Sequence, residues 1–285
     1  MRNFRLLAAL SIVAILTLTL RPTPAHAGSY MFIAYGDTRS QPDIHRAVIA
    51  RIVAAKPEFV VQTGDLVSNG RNADQWTEFD SITEPLRKAG IGYYPSRGNH
   101  DLGTLYIKHA PKDYDSGNGY YYAVTRHNSV FIAVDSMDPV GTGVGTPQYT
   151  WLENELTKAQ GKAAHVFVFF HESPFSVGPH GPDATAQRDL HPLFVKHHVS
   201  CVFCGHDHLY YRTVRDGLHY FVTGGGGAPL YQPDNANLAI QGDVYSSVYH
   251  YIKLVVDGKT ISAVAYQVDP AGGPDKIVDK LTWSD

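Results

Sequence analysis

Five polar clusters set the strongest limit on the fold, because each one follows directly after a short apolar segment that is typical of a β-strand. The clusters are Gly36-Asp37-Thr38-Arg39, Gly64-Asp65, Gly98-Asn99-His100-Asp101, His171-Glu172 and Gly205-His206-Asp207-His208. In layered α/β folds, binding sites are built at the carboxyl ends of the strands. The sequence therefore predicts that five strands carry these side chains to one edge of the fold.

Strand and helix patterns alternate over the first three quarters of the chain. Apolar residues at helical spacing predict helices at 42–56, 76–86, 146–158 and 183–198. Short apolar runs predict strands at 30–35, 59–62, 91–95, 120–126, 130–135, 165–170 and 199–203, and then at 218–223, 249–256 and 260–267. This order predicts an α/β fold in which two sheets pack face to face and are flanked by helices.

The N-terminus predicts an exported protein. Arg2 and Arg5 precede an apolar run over 6–20, and Ala25-His26-Ala27 has the small-x-small form of a signal peptidase site. The alternative is a membrane anchor, but the run is shorter than the roughly 20 residues needed to cross a bilayer. We therefore expect a signal peptide at 1–27, no stable membrane anchor after cleavage, a single domain at 28–285, and a periplasmic or extracellular location.

Composition bears on partners and on redox state. Charged residues make up 18% of the chain, the net charge is −3, and no basic tract is present, so we do not expect binding to nucleic-acid duplexes. Cys201 and Cys204 lie three residues apart near the end of a predicted strand, where they point to opposite faces. We therefore expect two core cysteines and no disulfide. The oligomeric state is left open.

The residue types in the five clusters are typical metal ligands. They supply carboxylate and amide oxygens and imidazole nitrogens, which suit iron, manganese, zinc or cobalt. Six residues are the main candidates for metal ligands: Asp37, Asp65, Asn99, His171, His206 and His208. Six donors exceed what one tetrahedral zinc takes from a protein. Two metals that share one bridging carboxylate would use all of them, and such a pair clamps both oxygens of an in-line displacement.

The order G-D…G-D…G-N-H-D…H…G-H-x-H resembles the calcineurin-like metallophosphoesterase superfamily. Three further features are similar to its purple acid phosphatase-like branch: the run 205–212, Gln148 with Trp151-Leu152, and the glycines 224–227. The resemblance implies a four-layered α/β/β/α sandwich with two mixed sheets. It also implies hydrolysis of phosphate esters by a metal-bridging hydroxide, with a phosphomonoesterase favoured. The alternatives are a phosphodiesterase acting on nucleotide or lipid-type diesters and a non-catalytic binding protein with a decayed first metal site.

The resemblance also implies a role for each donor. Two divalent or trivalent transition metals (Fe, Mn or Zn) would be bound by a bridging Asp65, with Asp37 and His208 on the first metal and Asn99, His171 and His206 on the second. His100 would face a small phosphorylated substrate and protonate the leaving alkoxide, and Asp101 would orient the imidazole. Asn99 would contact the substrate as well.

Two positions depart from the family pattern. Arg39 stands where the superfamily usually has a metal-binding histidine, and an arginine cannot lose its proton to become a ligand. Ser68 stands where purple acid phosphatases have the tyrosine that gives their colour. Arg39 is predicted either to bind the substrate phosphate or to form an ion pair with a neighbouring carboxylate. His180, in the Pro/Gly-rich loop 173–183, is a further candidate for substrate binding.

Overall fold

The computed structural model describes residues 28–284, so the predicted signal peptide at 1–27 lies outside the described residues. Two β-sheets pack face to face in this part of the chain. The first contains β1 (Tyr30–Tyr35), β2 (Phe59–Gln62), β3 (Gly92–Pro95), β12 (His250–Asp257), β13 (Thr260–Gln267) and β14 (Lys276–Ser284). The second contains β4 (Ser116–Gly117), β5 (Tyr122–Arg126), β6 (Ser129–Ala133), β7 (His165–Phe169), β8 (Cys201–Cys204), β9 (Tyr210–Arg215), β10 (Leu218–Thr223) and β11 (Val244–Ser246).

Both sheets are mixed. The strand order is β14-β13-β12-β1-β2-β3 in the first sheet and β11-β9-β10-β8-β7-β6-β5-β4 in the second. Strands β1, β2 and β3 are parallel to one another, as are β6, β7, β8 and β10. The carboxyl ends of each parallel set therefore lie at one edge of their sheet.

Helices cover the outer face of each sheet. On the first sheet, α1 (Pro42–Ala55) and α2 (Ala73–Lys88) pack apolar side chains against β1 and β2. On the second sheet, α3 (Pro147–Ala159) and α4 (His191–Lys196) pack against β6, β7 and β8. The result is the predicted α/β/β/α sandwich, which is confirmed. Thr146 begins α3 as predicted, since its side chain accepts a hydrogen bond from the Tyr149 N–H.

Aromatic side chains fill the space between the sheets. Because successive side chains of a strand point to opposite faces, Phe32 of β1 faces the second sheet while Ile33 faces the helices. The Phe32 ring lies 5.0 Å from the ring of Phe131 and 5.2 Å from that of Phe167, in edge-on contacts. Both faces of β1 are buried, and this explains why the strand is a continuous apolar run.

Some details differ from the sequence pattern. Strands β4, β9, β11 and β14 have no predicted counterpart. Strand β14 is an edge strand with mostly exposed or half-buried side chains, so it lacks a clear apolar alternation. The predicted helix at 183–198 contains a π-turn at Ala186–Leu190 and ends at Lys196. Pro192 lies just after the π-turn, and its ring cannot fit regular α-helical hydrogen bonding with the preceding turn.

Two smaller expectations concern cysteines and membrane spans. Cys201 and Cys204 are both buried and are not joined in a disulfide, as predicted. Within residues 28–284, no helix combines the length and the apolar character needed to cross a membrane. The predicted domain boundary at residue 28 remains a prediction.

Two buried histidines are expected to make the fold sensitive to acid. Burial lowers the pKa of His45 from 6.5 to about 3 and that of His250 to about 4. Below about pH 6.5 the unfolded chain binds protons at these side chains while the folded chain does not, so the free energy of unfolding falls as the pH falls toward these values. The slope is up to about 1.4 kcal/mol per pH unit for each histidine.

This slope can be measured by denaturant unfolding between about pH 7 and pH 4.5, with chelator present. A His250→Gln variant is expected to have a slope lower by one such contribution, because glutamine does not titrate. Exposed His198 provides the control, since His198→Asn should leave the slope unchanged. Equal slopes for His250→Gln and the unmodified protein would contradict this account.

Candidate metal centre

The five polar clusters meet at the edge where the parallel strands of both sheets end. Backbone hydrogen bonds join the loops that carry them: the Asp37 N–H donates to the Gly64 carbonyl at 3.0 Å, and the Gly205 N–H donates to the His171 carbonyl at 2.9 Å. The glycine-rich segment also contributes, because the Gly226 N–H donates to the Gly36 carbonyl at 2.8 Å. These backbone hydrogen bonds hold the loops that carry the donor side chains next to one another.

Close approach of these loops explains two of the glycines. A Cβ atom at Gly98 would lie 2.3 Å from both the backbone nitrogen and Oδ1 of Asp65, and one at Gly205 would lie 2.4 Å from Oδ2 of Asp37. Asp37, Asp65 and His206 also have positive φ angles of 56°, 57° and 71°. Such strained backbone in residues other than glycine clusters at functional sites.

Three donors surround His171, and together with it they form what we call the second cluster: Asp65, Asn99, His171 and His206. The Nε2 atom of His171 lies 3.0 Å from Asn99 Oδ1, 3.2 Å from His206 Nδ1 and 3.5 Å from Asp65 Oδ1. Donors bound at 2.0–2.1 Å to a common ion, at tetrahedral to octahedral angles, lie roughly 3.0–3.4 Å apart. The three contacts of His171 Nε2 are therefore close to the spacing of ligands on one transition-metal ion.

Three donors form the first cluster: Asp37, Asp65 and His208. Their nearest ligand atoms all lie within 4.8 Å of one another, and all three side chains are buried. His208 Nε2 lies 3.5 Å from Asp37 Oδ1. Asp65 belongs to both clusters, as the sequence predicted for a bridging carboxylate. This cluster also fits a metal ion, although it offers one protein donor fewer than the second.

Backbone carbonyls fix the orientation of two imidazoles. Nδ1 of His171 lies 2.9 Å from the Thr63 carbonyl, and Nδ1 of His208 lies 2.7 Å from the Pro229 carbonyl. A carbonyl can only accept, so each Nδ1 carries the hydrogen and each Nε2 directs a lone pair into the centre. Metal-binding histidines are commonly held in this way.

The three histidines are uncharged at neutral pH. Burial is the main cause: it lowers the pKa of His206 to about 3 and that of His208 to about 4, and it also lowers the pKa of His171. Metal binding requires neutral imidazole, because a protonated nitrogen has no lone pair to donate. These histidines are therefore prepared to bind cations without first releasing a proton.

The two aspartates place negative charge in a buried position. Burial, followed by the charge of Asp65, raises the pKa of Asp37 well above its usual range. Burial would also raise the pKa of Asp65, but His171, the backbone N–H and imidazole of His100, and Arg39 together lower it. Two adjacent buried carboxylates require nearby positive charge, and bound metal ions would supply it.

Arg39 contacts two donors of the first cluster, Asp65 and His208. Its Nε donates to Asp65 Oδ2 at 3.0 Å, and its Nη2 lies 3.5 Å from His208 Nε2. Of the two predicted roles, the ion pair with a neighbouring carboxylate is the one present in this structure. Phosphate binding by Arg39 remains a prediction.

Asp101 does not orient His100 as predicted. Its buried carboxylate instead accepts hydrogen bonds from the backbone N–H groups of Leu66, Val67 and Gly98, at 2.9, 3.1 and 2.9 Å. Asp101 therefore ties the loop of Asp65 to its own loop. The prediction failed because backbone N–H groups take both carboxylate oxygens of Asp101, while His100 Nδ1 contacts the Ser68 carbonyl.

A backbone carbonyl orients His100 instead. Its Nδ1 lies 2.9 Å from the Ser68 carbonyl, and its Nε2 faces the centre at 4.0 Å from Asp65 Oδ2. About a third of the His100 side chain is exposed to solvent, whereas Asp65 is almost fully buried. His100 thus stands at the mouth of the centre, where a substrate could reach it.

Two aromatic rings cover histidines of the centre. The His180 ring stacks on His206 at 4.0 Å between ring centroids, which brings this predicted residue to the edge of the second cluster. Tyr231 stacks on His208, also at 4.0 Å. Tyr231 was not among the predicted site residues, and its only sequence signal is its position shortly after the glycine-rich segment.

Glu172 is a second residue near the centre that the sequence analysis did not assign. It lines a cavity of about 140 Å³ together with His180, Asp183 and His206. Burial, followed by the charge of Asp183, raises the pKa of Glu172 to about 7. Its position directly after His171 was the sequence signal that could have drawn attention to it.

Comparison with known proteins agrees with this geometry. A family model described as calcineurin-like phosphoesterase matches residues 30–210, which include every donor of both clusters. The chain belongs to the calcineurin-like phosphoesterase family. The family implies a centre of two divalent metal ions, and the chain is accordingly a dinuclear metallophosphoesterase, a hydrolase of phosphate esters.

Several proteins with sequences similar to this chain are phosphatases. The chain is 24% identical over 247 residues to tartrate-resistant acid phosphatase type 5 of Sus scrofa, covering 72% of this chain and 71% of that protein. It is 28% identical over 237 residues to a purple acid phosphatase of Glycine max, covering 73% of this chain but only 50% of that protein. Several curated relatives are thus much longer than the aligned region.

A solved structure supports the fold assignment. Purple acid phosphatase from yellow lupin (Lupinus luteus) seeds superposes with a TM-score of 0.74 at 18% sequence identity, covering 92% of this chain and 55% of that chain. At this level of identity the similarity establishes the fold alone. The expected metallophosphoesterase fold is therefore confirmed independently of the site.

Proposed function

We propose that this metallophosphoesterase hydrolyses monoesters of small phosphorylated molecules, with metal ions held by both clusters. The observation that carries the proposal is the convergence of Asn99, His206 and Asp65 on the Nε2 atom of His171, at 3.0–3.5 Å. These donors would hold iron, manganese or zinc ions, which would supply an activated water and positive charge for the phosphoryl oxygens. The residues of the chain position the substrate and move the proton.

His100 is proposed to deliver a proton to the leaving group. Because the Ser68 carbonyl accepts the Nδ1 hydrogen, Nε2 is the nitrogen that faces the centre and can carry the transferred proton. The same carbonyl stabilises the ring while it is positively charged. Departure of an alkoxide is difficult without such a proton, and a positioned acid typically contributes 10²–10⁴-fold to the rate.

Positive charge at the open side favours a monoester over a diester. The partly exposed guanidinium of Arg39 lies at this side of the centre. A monoester presents a phosphoryl group with more negative charge than a diester, and it therefore gains more from this positive charge. Asn99 and His180 are proposed to contact the substrate from the second-cluster side.

The proposal is tested with protein recovered from the periplasm or the medium, the locations that the predicted signal peptide implies. This mature protein should begin at Gly28. Phosphate release from nitrophenyl phosphate is compared with cleavage of its bis-nitrophenyl ester, after reloading with Mn²⁺, Zn²⁺ or iron. We expect a higher kcat/KM for the monoester and loss of both activities after chelation. Faster cleavage of the bis-ester would favour the phosphodiesterase, and no cleavage of either ester by metal-loaded protein would favour a binding protein.

A further inference from the structure

We infer that Arg39 competes with the metal ion of the first cluster, so that the centre fills in a fixed order. The second cluster binds its ion first, and the first cluster binds an ion only after the guanidinium has left Asp65. This inference rests on the proposed metal-dependent function. It concerns the relative affinity of the two positions and the residue that sets it.

The two oxygens of Asp65 have separate partners. Oδ1 faces the second cluster, where it lies 3.5 Å from His171 Nε2 and accepts a hydrogen bond from the His100 N–H at 2.9 Å. Oδ2 accepts the hydrogen bond from Arg39 Nε at 3.0 Å. Arg39 therefore holds the oxygen that a bridging carboxylate would give to the first metal.

The guanidinium also approaches the imidazole donor of the first cluster. Its Nη2 lies 3.5 Å from His208 Nε2, the nitrogen whose lone pair is directed into the centre. A metal ion bound to His208 and Asp65 would stand next to a permanent positive charge at this position. Metal binding here therefore requires the guanidinium to move.

The second cluster has no such competitor among the side chains described. It offers Asn99, His171 and His206 in addition to Asp65. The first cluster offers Asp37 and His208 in addition to Asp65, with Arg39 in place of the histidine that the family pattern places there. Fewer donors and an intrinsic cation both lower the affinity of the first cluster for metal.

The fold provides a place for the displaced guanidinium. Arg39 lines a cavity of about 180 Å³ between α1 and α2, together with Ser68, Gln75 and Glu78, whose carboxylate lies 3.8 Å from Arg46. The entrance is already polar, because Arg39 Nη1 donates to Ser40 Oγ at 3.2 Å, and that hydroxyl lies 3.1 Å from Ser68 Oγ. A guanidinium that leaves Asp65 can therefore stay hydrogen-bonded and near a negative charge.

The inference is tested by titrating chelator-stripped protein with Mn²⁺ and following binding by calorimetry and EPR, which distinguishes an isolated Mn²⁺ ion from an exchange-coupled pair. In the unmodified protein we expect two dissociation constants that differ by at least about 10-fold, within the range seen when a group contacting a metal ligand is changed. The isolated-ion signal should dominate up to one equivalent. The coupled signal should appear only with the second.

Arg39→Ala and Arg39→Gln remove the competing charge, and each is expected to lower the weaker dissociation constant by about 10-fold or more. The tighter constant should change little. Arg39→His, which restores the missing donor, should lower the weaker constant furthest. Arg71→Ala is the matched control, because it removes an exposed positive charge from the loop before α2, and both constants should stay as in the unmodified protein.

Equal affinities at both positions in the unmodified protein would overturn the inference, and that measurement needs no variant to fold. An unchanged weaker constant in Arg39→Gln would overturn it as well. Failure of the proposed function has a different result, since protein that binds none of Mn²⁺, Zn²⁺ and iron at either position could not be a metal-dependent hydrolase. Sequential binding without phosphate release would leave the Arg39 inference in place and reject the proposed activity.

Discussion

Asp65→Asn is expected to lower kcat/KM for nitrophenyl phosphate by at least about 1,000-fold, the upper end of the cost of losing one electrostatic contact in an active site. The carboxylate gives one oxygen to each cluster, and a neutral amide cannot supply charge to both. The metal content of the purified protein is expected to fall from two ions to at most one. Phosphate-release kinetics and elemental analysis measure these two effects.

The fold is expected to survive this substitution. The asparagine oxygen can still accept the hydrogen bond from the His100 N–H, and Arg39 is partly exposed, so water can solvate its freed guanidinium. Asp74→Asn, at an exposed position in the first turn of α2, is the control and should retain full activity and metal content. A folded Asp65→Asn protein with normal turnover and two metal ions would show that Asp65 does not bridge the metals.

His100→Ala is expected to have the second largest effect, and that effect should depend on the leaving group. For an alkyl phosphate, whose alkoxide needs a proton, we expect kcat to fall by about 100-fold or more. For nitrophenyl phosphate the loss should be much smaller, because nitrophenolate leaves without a proton. The metal content should not change, since His100 Nε2 lies 4.0 Å from Asp65 Oδ2 and belongs to neither cluster.

This comparison separates proton delivery from simple damage to the site. A structural defect would lower turnover of both esters equally, whereas loss of an acid changes their ratio. His198→Asn, at an exposed position far along the chain, should leave both rates unchanged. An equal loss for the two esters, or a lower metal content, would contradict the assignment of His100 as the acid.

The sequence predicted the sandwich and the meeting of the donors for a clear physical reason. Strands with almost continuous apolar runs, such as β1 and β7, are buried on both faces. A helical stripe between two such strands, as between β1 and β2, favours a parallel pair. Parallel strands end at the same edge, so polar residues placed directly after them come together. This reasoning needs only local patterns and the direction of the chain.

The partners of individual side chains could not be predicted in the same way. The Ser68 carbonyl that orients His100 and the stacking of Tyr231 on His208 depend on the paths of loops that have no periodic pattern. The neighbour relation that suggested Asp101 was misleading, because a tight turn sends adjacent side chains in different directions. The ion pair of Arg39 was one of two alternatives, and choosing between them required coordinates.

The strand ends are proposed to hold metal ions between the donors of the two clusters, and anomalous diffraction from crystals of the Mn²⁺-loaded protein would locate those ions. We expect the stronger peak at roughly 2.0–2.3 Å from His171 Nε2 and Asn99 Oδ1, with a weaker peak beside Asp37 and His208. Peaks only at other places on the protein, or none at all after loading, would contradict this proposal.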